Sequence, residues 1–265
     1  MSGPFFDLIP YCLGVIAVTW LLSVITREYS WVDRVWSIAP PVYVWLMVYR
    51  TPDASPRLWL IAVLTTLWGA RLTFNYARKG GYAPGGEDYR WAILRQKLGP
   101  IGFQLFNATF IAPYQNALIF LLVAPANDLA TSATPLGWLD VVLTAAFLAF
   151  LTGETIADQQ QWNFHKAKTA RKAKGEAGPQ FCTTGLFRYS RHPNFFCEVA
   201  QWWVIYGFGV AATGHLFHWS ILGPVLLTLL FDGSTRFTES ITKSKYPEYG
   251  DYQRSTSRLL PLPPR

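Results

Sequence analysis

The chain has 265 residues, 51% of them hydrophobic and only 15% charged, whereas a soluble domain of this size carries about a quarter charged residues. With 12 Trp, 13 Tyr and 18 Phe, it is rich in the rings that anchor helices at the lipid headgroup level, so composition excludes an ordinary soluble domain. The net charge of +7 resides in loops beside apolar runs, where topology and anionic headgroups account for it, and nucleic acid is excluded as a partner.

The opening stretch, MSGPFFDLIPYCLGVIAVTWLLSVITRE, lacks the positive leading region and small-residue cleavage site of a secretory signal. Its apolar run is long enough to span, and it reads as a retained first helix. In chain order, apolar runs of spanning or near-spanning length fall at about 8–26, 35–50, 57–76, 101–124, 136–157, 195–213 and 215–232. The fold expected is therefore all-α, a polytopic membrane protein of about seven transmembrane helices. Pro113 with Asn116 interrupts the fourth run and Pro224 the seventh.

Short cytoplasmic loops collect Lys and Arg. Segments 27–34, 77–100, 160–192 and the tail beyond 232 hold twenty of the 23 basic residues, while Arg50 and Arg57 fall on the other side and Arg71 inside the third run. That asymmetry predicts an N-terminus outside and a C-terminus in the cytoplasm. The localisation expected is a multi-pass protein of the bacterial inner (cell) membrane.

Cys12, Cys182 and Cys197 show no CxxC spacing and read as apolar fillers rather than disulfide or zinc residues. KAKTARKAKGEAG at 166–178 reads as a mobile basic loop. The HLFH of 215–218 sits on the outer side beside Trp219, where histidines are common, and no metal is expected. No GxGxxG precedes a helical pattern, so a dinucleotide-binding sheet fold is not supported. Gly80, Gly81, Gly85 and Gly86 read as a turn, with Glu87, Asp88, Tyr89 and Arg90 just after it as the stronger ligand candidates.

Arg188, Tyr189, Ser190, Arg191, His192, Asn194, Glu198 and Gln201 crowd against the start of an apolar span. If a helix begins near Pro193, a favoured first-turn residue, then Asn194, Glu198 and Gln201 fall at i, i+4 and i+7 on one face. That face carries amide, carboxylate and amide into the membrane, where an ionisable group is a functional hypothesis by default. Guanidinium forks beside it suit a polyanionic cofactor, and amide and carboxylate groups suit a carboxamide and ribose hydroxyls.

The run GLFRYSRHPNFFCE at 185–198 resembles the hallmark of the steroid 5-alpha-reductase C-terminal family, with Cys197 where the hallmark has glycine. GGEDYRW at 85–91, SWVDRVWS at 30–37 and KYPEYGDYQRSTSRLLP at 245–261 resemble other segments of the same family, in the same order. The resemblance implies a membrane reductase that takes NADPH from the cytosol. Its substrate would be an activated carbon–carbon double bond in an apolar, steroid-like or other lipid enone drawn from the bilayer. Asn194 and Glu198 would hold the nicotinamide or its ribose. Arg188, Tyr189, Arg191, His192, Tyr252, Arg254, Asp88, Tyr89 and Arg90 would line the rest of the cofactor site. The chain is then one domain over 1–265, with helices 1–5 in 1–160 bearing substrate-side residues and 161–265 forming the cofactor-binding part.

On the substrate side the candidates are Asp33, Arg71 and Tyr76. Asp33 reads either as a helix N-terminal carboxylate favoured by the macrodipole or as an acid whose raised pKa lets it donate to the substrate carbonyl. Arg71 would anchor Asp33 or Glu154, or meet the cofactor directly. Reductases of this family that act on steroids pair a tyrosine with the acid; Trp68 stands near that place here and Tyr76 is displaced from it. The alternative function is an S-adenosylmethionine-dependent methyltransferase acting on lipid or isoprenylcysteine, since those enzymes share an Arg-His-Pro motif. A non-enzymatic lipid-binding protein is the remaining reading.

Overall fold

The computed structural model describes residues 3–130, 132 and 134–265. Among the described residues there is no β-strand, and the single parallel bridge pairs Ser190 with Ser257. The helices are α1 (Ile9–Thr26), α2 (Trp31–Trp36), α3 (Ala39–Arg50), α4 (Pro56–Arg78), α5 (Tyr89–Phe106), α6 (Gln115–Leu122), α7 (Pro125–Ala130), α8 (Trp138–Ala173), α9 (Pro193–Thr213), α10 (Leu222–Lys245) and α11 (Tyr249–Ser255).

Among the described residues, five helical runs are long and apolar enough to cross a membrane: Phe6–Thr26, Pro56–Arg78, Tyr89–Ala130, Trp138–Ala173 and Pro193–Thr213. They make this a multi-pass membrane protein. The other two expected runs have different outcomes. Residues 35–50 are split by Pro40 and Pro41 into the end of α2 and a 12-residue α3, roughly 18 Å long against a hydrocarbon core of about 30 Å. The last run enters α10, which from Asp232 onward carries Asp232, Arg236, Glu239, Lys243 and Lys245. The connection between the fourth and fifth expected runs, 125–135, is helical at α7 and includes residues 131 and 133, which lie outside the described residues.

The fourth run lies inside a longer one. α5 breaks at Gly99, whose φ of 68° precedes Pro100, and a π-helix, Asn107–Tyr114, leads into α6. Pro113 sits within that π-helix, where its missing N–H favours a widened turn. α8 is the longest element at 36 residues, roughly 54 Å, so its basic end extends beyond any bilayer core. The stretch expected as a mobile loop is thus helical through Ala173. Alanine, lysine and arginine are strong helix formers, and that propensity outweighs the charge.

The chain divides into two compact units, Met1–Thr144 with Val204–Leu226, and Ala145–Trp203 with Leu227–Arg265. In the first unit α1 buries Cys12, Thr19 and Ser23 and exposes Leu13, Val18, Leu21 and Ile25. That inversion suits a lipid solvent, in which helices associate through hydrogen bonds and small residues. Asn116 donates to Thr19 Oγ1 at 2.9 Å and Asn107 to Ser23 Oγ at 2.9 Å. Gly69 lets α4 approach Ser37 and Pro41; a Cβ there would lie 2.5 Å from the Ser37 carbonyl. At one end of the unit, buried Arg57 forks onto Asp140 at 2.7 and 2.8 Å and also donates to Thr134 and the Pro135 carbonyl.

In the second unit α8 meets α9 at Gly153, where a Cβ would come 3.0 Å from Cys197 Sγ. Gly153 therefore leaves room for the Cys197 thiol on the facing helix.

Candidate functional site

Pro193 opens α9, and Asn194, Glu198 and Gln201 do share one face. That face meets two acids on α8, also one turn apart. Asn194 Nδ2 donates to Asp158 Oδ1 at 3.4 Å, and Gln201 Nε2 to Glu154 Oε2 at 2.7 Å. Glu198 accepts from the Trp202 indole at 3.2 Å. Glu154, Asp158, Glu198 and Gln201 are all buried. Three carboxylates and two amides inside apolar helices are costly to bury, and such groups mark sites of function.

Gln201 spends both N–H groups, on Glu154 and on the Cys197 carbonyl at 3.2 Å. Its Oε1 is fully buried and has no hydrogen-bond partner among the described residues. Turning the amide over would face that oxygen toward a carboxylate and a carbonyl, so the orientation is fixed by its neighbours.

The RYSRHP segment is held by the end of the chain. Arg191 N donates to the Ser257 carbonyl at 2.9 Å, His192 N to Arg258 at 3.1 Å, and Leu262 N to the Tyr189 carbonyl at 3.0 Å. Ser190 Oγ donates to Leu259 at 2.7 Å. Arg191 forks onto Glu239 at 2.6 and 2.9 Å and donates to the carbonyls of Gln253 and Thr256. His192 Nε2 and Gln253 Nε2 also reach Glu239, at 3.0 and 2.9 Å. Burial opposes ionisation of Glu239, but hydrogen bonds from His192, Arg191 and Gln253 prevail and hold its pKa down at about 2.

Arg191 and His192 therefore fasten α9 and the tail to α10, and the Tyr252 hydroxyl is likewise bound to the Phe187 carbonyl. Arg188, Tyr189 and Arg254 remain exposed, with Arg254 contacting Asp251. Glu239 and Asp158 escaped the sequence reading. The available signal for Glu239 was its standing as the lone acid between Asp232 and Glu248.

Gly185 supports this segment. Its φ is 63°, and a Cβ would meet Gln160 at 2.4 Å, where Gln160 Oε1 accepts from Leu186 N at 3.0 Å. A left-handed residue packed against a side chain requires glycine.

In the first unit Asp33 sits on α2, where Trp91 Nε1 points at its Oδ2 at 3.4 Å and at Ser30 Oγ at 3.1 Å. Burial first, and the nearby Asp88 second, push the Asp33 pKa up despite help from Ser30 and Trp91. Asp88 caps α5, accepting from Arg90 N at 2.8 Å, and holds the Arg90 guanidinium at 2.6 Å. Tyr89 next to it is exposed.

The glycine-rich turn is strapped to the α1–α2 connection. Glu28 accepts from Gly85 N at 2.9 Å and from Arg34 at 2.6 Å, and Arg34 Nε reaches the Gly81 carbonyl at 3.2 Å. Glu87 takes Tyr29 N at 2.6 Å and Arg95 at 3.2 Å. Tyr76 packs edge-on against Tyr82, over Gly81, and its hydroxyl is buried with no hydrogen-bond partner. Arg71 is half-buried on α4, one turn before the buried Asn75. In the HLFH stretch, His218 Nδ1 lies 3.1 Å from Asp128 Oδ2.

A family described as "Protein of unknown function (DUF1295)" matches residues 19–256. The chain belongs to this family. An uncharacterized protein of the fission yeast Schizosaccharomyces pombe is 36% identical over 274 residues, covering 95% of this chain and 80% of the relative. No solved structure matches. A relative in a eukaryote gives the expected bacterial inner membrane no support. The matched range takes in the Asp33 cluster, the α8–α9 acids and the Glu239 clamp, so the family spans both groups of candidate residues.

Proposed function

We propose that the protein is a membrane-embedded NADPH-dependent reductase of a carbon–carbon double bond in an apolar lipid enone, related to the steroid 5-alpha-reductases. In this reading it crosses the bilayer seven times, with the short α3 and the upper part of α10 completing the set, an outer N-terminus and a cytoplasmic C-terminus. The observation that carries the proposal is the amide–carboxylate face of α9, half-buried Asn194 with buried Glu198 and Gln201, and exposed Arg188 and Arg254 in the same unit. Amide and carboxylate groups match the carboxamide and ribose of a nicotinamide nucleotide, and guanidinium groups match its phosphates. The unpartnered Gln201 oxygen calls for a ligand that brings a hydrogen-bond donor.

When bound, NADPH supplies the hydride. Asn194 and Glu198 would orient its carboxamide and ribose, and Arg188, Tyr189 and Arg254 would hold its charged end. Arg191 and His192 are positioning residues, acting through Glu239 on the segment that bears the others. On the substrate, Asp33 would act in its protonated form, donating to the carbonyl oxygen as charge develops there. A carboxyl whose pKa is raised by burial suits that role. The Tyr76 hydroxyl, buried and unpartnered, is the second donor candidate. Reduction is balanced by one hydride to the β carbon and one proton to the α carbon.

The test is the affinity of purified protein for NADPH and for S-adenosylmethionine, side by side, by calorimetry and thermal shift. NADPH should bind alone, and Asn194→Ala and Glu198→Ala should each weaken it by tenfold or more. Binding of S-adenosylmethionine instead would replace the proposal with methyl transfer; binding of neither would favour a non-enzymatic lipid-binding role.

A further inference from the structure

We propose that Gln201 selects the nicotinamide carboxamide by accepting one of its N–H groups on Oε1, an inference that rests on the reductase reading. Three observations on the side chain lead there. Gln201 is fully buried one turn beyond Glu198, on the face that carries the proposed ligands. Both its N–H groups are committed, at 2.7 Å to Glu154 and 3.2 Å to the Cys197 carbonyl. These two acceptors lock the amide so that only the oxygen is offered, and that oxygen meets no protein donor. Glu154 therefore acts as a positioning residue that keeps Gln201 from presenting its NH2 group.

A buried acceptor left unmatched is penalised, so the site discriminates for ligands that bring a donor. Among parts of a nicotinamide nucleotide, the carboxamide NH2 is a donor attached directly to the reactive ring. An acetyl group in its place has the same shape and carbonyl but no N–H. The recognition is thus specific to the amide nitrogen, and it adds to whatever Asn194 and Glu198 provide.

The experiment uses the full-length protein in detergent and three reduced ligands: NADPH, its thionicotinamide analogue, which keeps the NH2, and its acetylpyridine analogue, which replaces NH2 by methyl. Dissociation constants are measured by calorimetry for the wild type and for Gln201→Met. In the wild type the acetylpyridine analogue should bind about tenfold more weakly than the other two, the effect of one unmatched hydrogen bond. In Gln201→Met all three should bind alike, at the level of the analogue.

Equal binding of the three ligands by the wild type overturns the proposal, and this series stands even if the variant fails to fold. Discrimination that persists in a folded Gln201→Met also overturns it, since some other group then reads the amide. If the wild type binds none of the three, the reductase reading itself has failed, an outcome distinct from either of these.

Discussion

Replacing Glu239 by alanine removes the acceptor shared by Arg191, His192 and Gln253 and leaves the Arg191 guanidinium, 8% exposed, without its carboxylate. Depression of the Glu239 pKa from 4.5 to about 2 corresponds to roughly 3 kcal/mol of stabilisation. Breaking a buried pair from one side costs about 3–5 kcal/mol in general, so the two magnitudes agree. For a protein of this size that is a fall in Tm of roughly 10 °C. Glu239→Gln should lose less, because Gln253 and His192 keep a neutral partner.

The pH dependence has a definite sign. The folded pKa is lowered, so this stabilisation is complete above about pH 4.5 and fades as pH falls from there toward 2. The assay is thermal unfolding in detergent, followed by tryptophan fluorescence at several pH values. A Glu239→Ala variant that melts within two or three degrees of wild type (of the order of 1 kcal/mol) while losing NADPH affinity would refute the structural role given to Arg191 and His192. It would return both to the cofactor.

If Asp33 works as a neutral acid, turnover should decline as pH rises through its elevated pKa; Asp33→Asn should abolish turnover yet leave NADPH affinity unchanged, which calorimetry checks. Arg57→Ala should destabilise by about 3–5 kcal/mol, since Asp140 is left charged and buried. The double replacement Arg57→Met with Asp140→Leu should recover most of that loss in thermal unfolding. Gly153→Ala should cost about 1 kcal/mol by crowding Cys197 Sγ. Adding Cys197→Ala should restore the melting temperature, and a simple sum of two losses would contradict the Gly153–Cys197 packing.

Much of the candidate site was legible before the fold was known. Three polar residues at i, i+4 and i+7 must share a helix face, whatever surrounds the helix, and the structure places Asn194, Glu198 and Gln201 on one. The glycine-rich turn was legible too, because Gly80 and Gly85 adopt positive φ, at 82° and 76°. The basic stretch 166–178 reads as a loop on its charge, yet helix propensity carries α8 through Ala173. The motif groups Tyr252, Arg191 and His192 with the cofactor candidates, and their hydrogen-bond partners within the protein lie 47 to 65 residues away in the chain, beyond any local pattern.

The sequence by itself determined the solvent of this protein, the sites of its apolar runs and which polar residues share a helix face. These follow from composition and from the fixed period of the helix. The tertiary structure decided which face each helix buries, that α1 turns Thr19 and Ser23 inward, and that Gly153 packs against Cys197. It also decided that Glu239 takes the arginine and histidine of the RYSRHP segment. Such pairings depend on how helices distant in sequence pack together, and no local period records them.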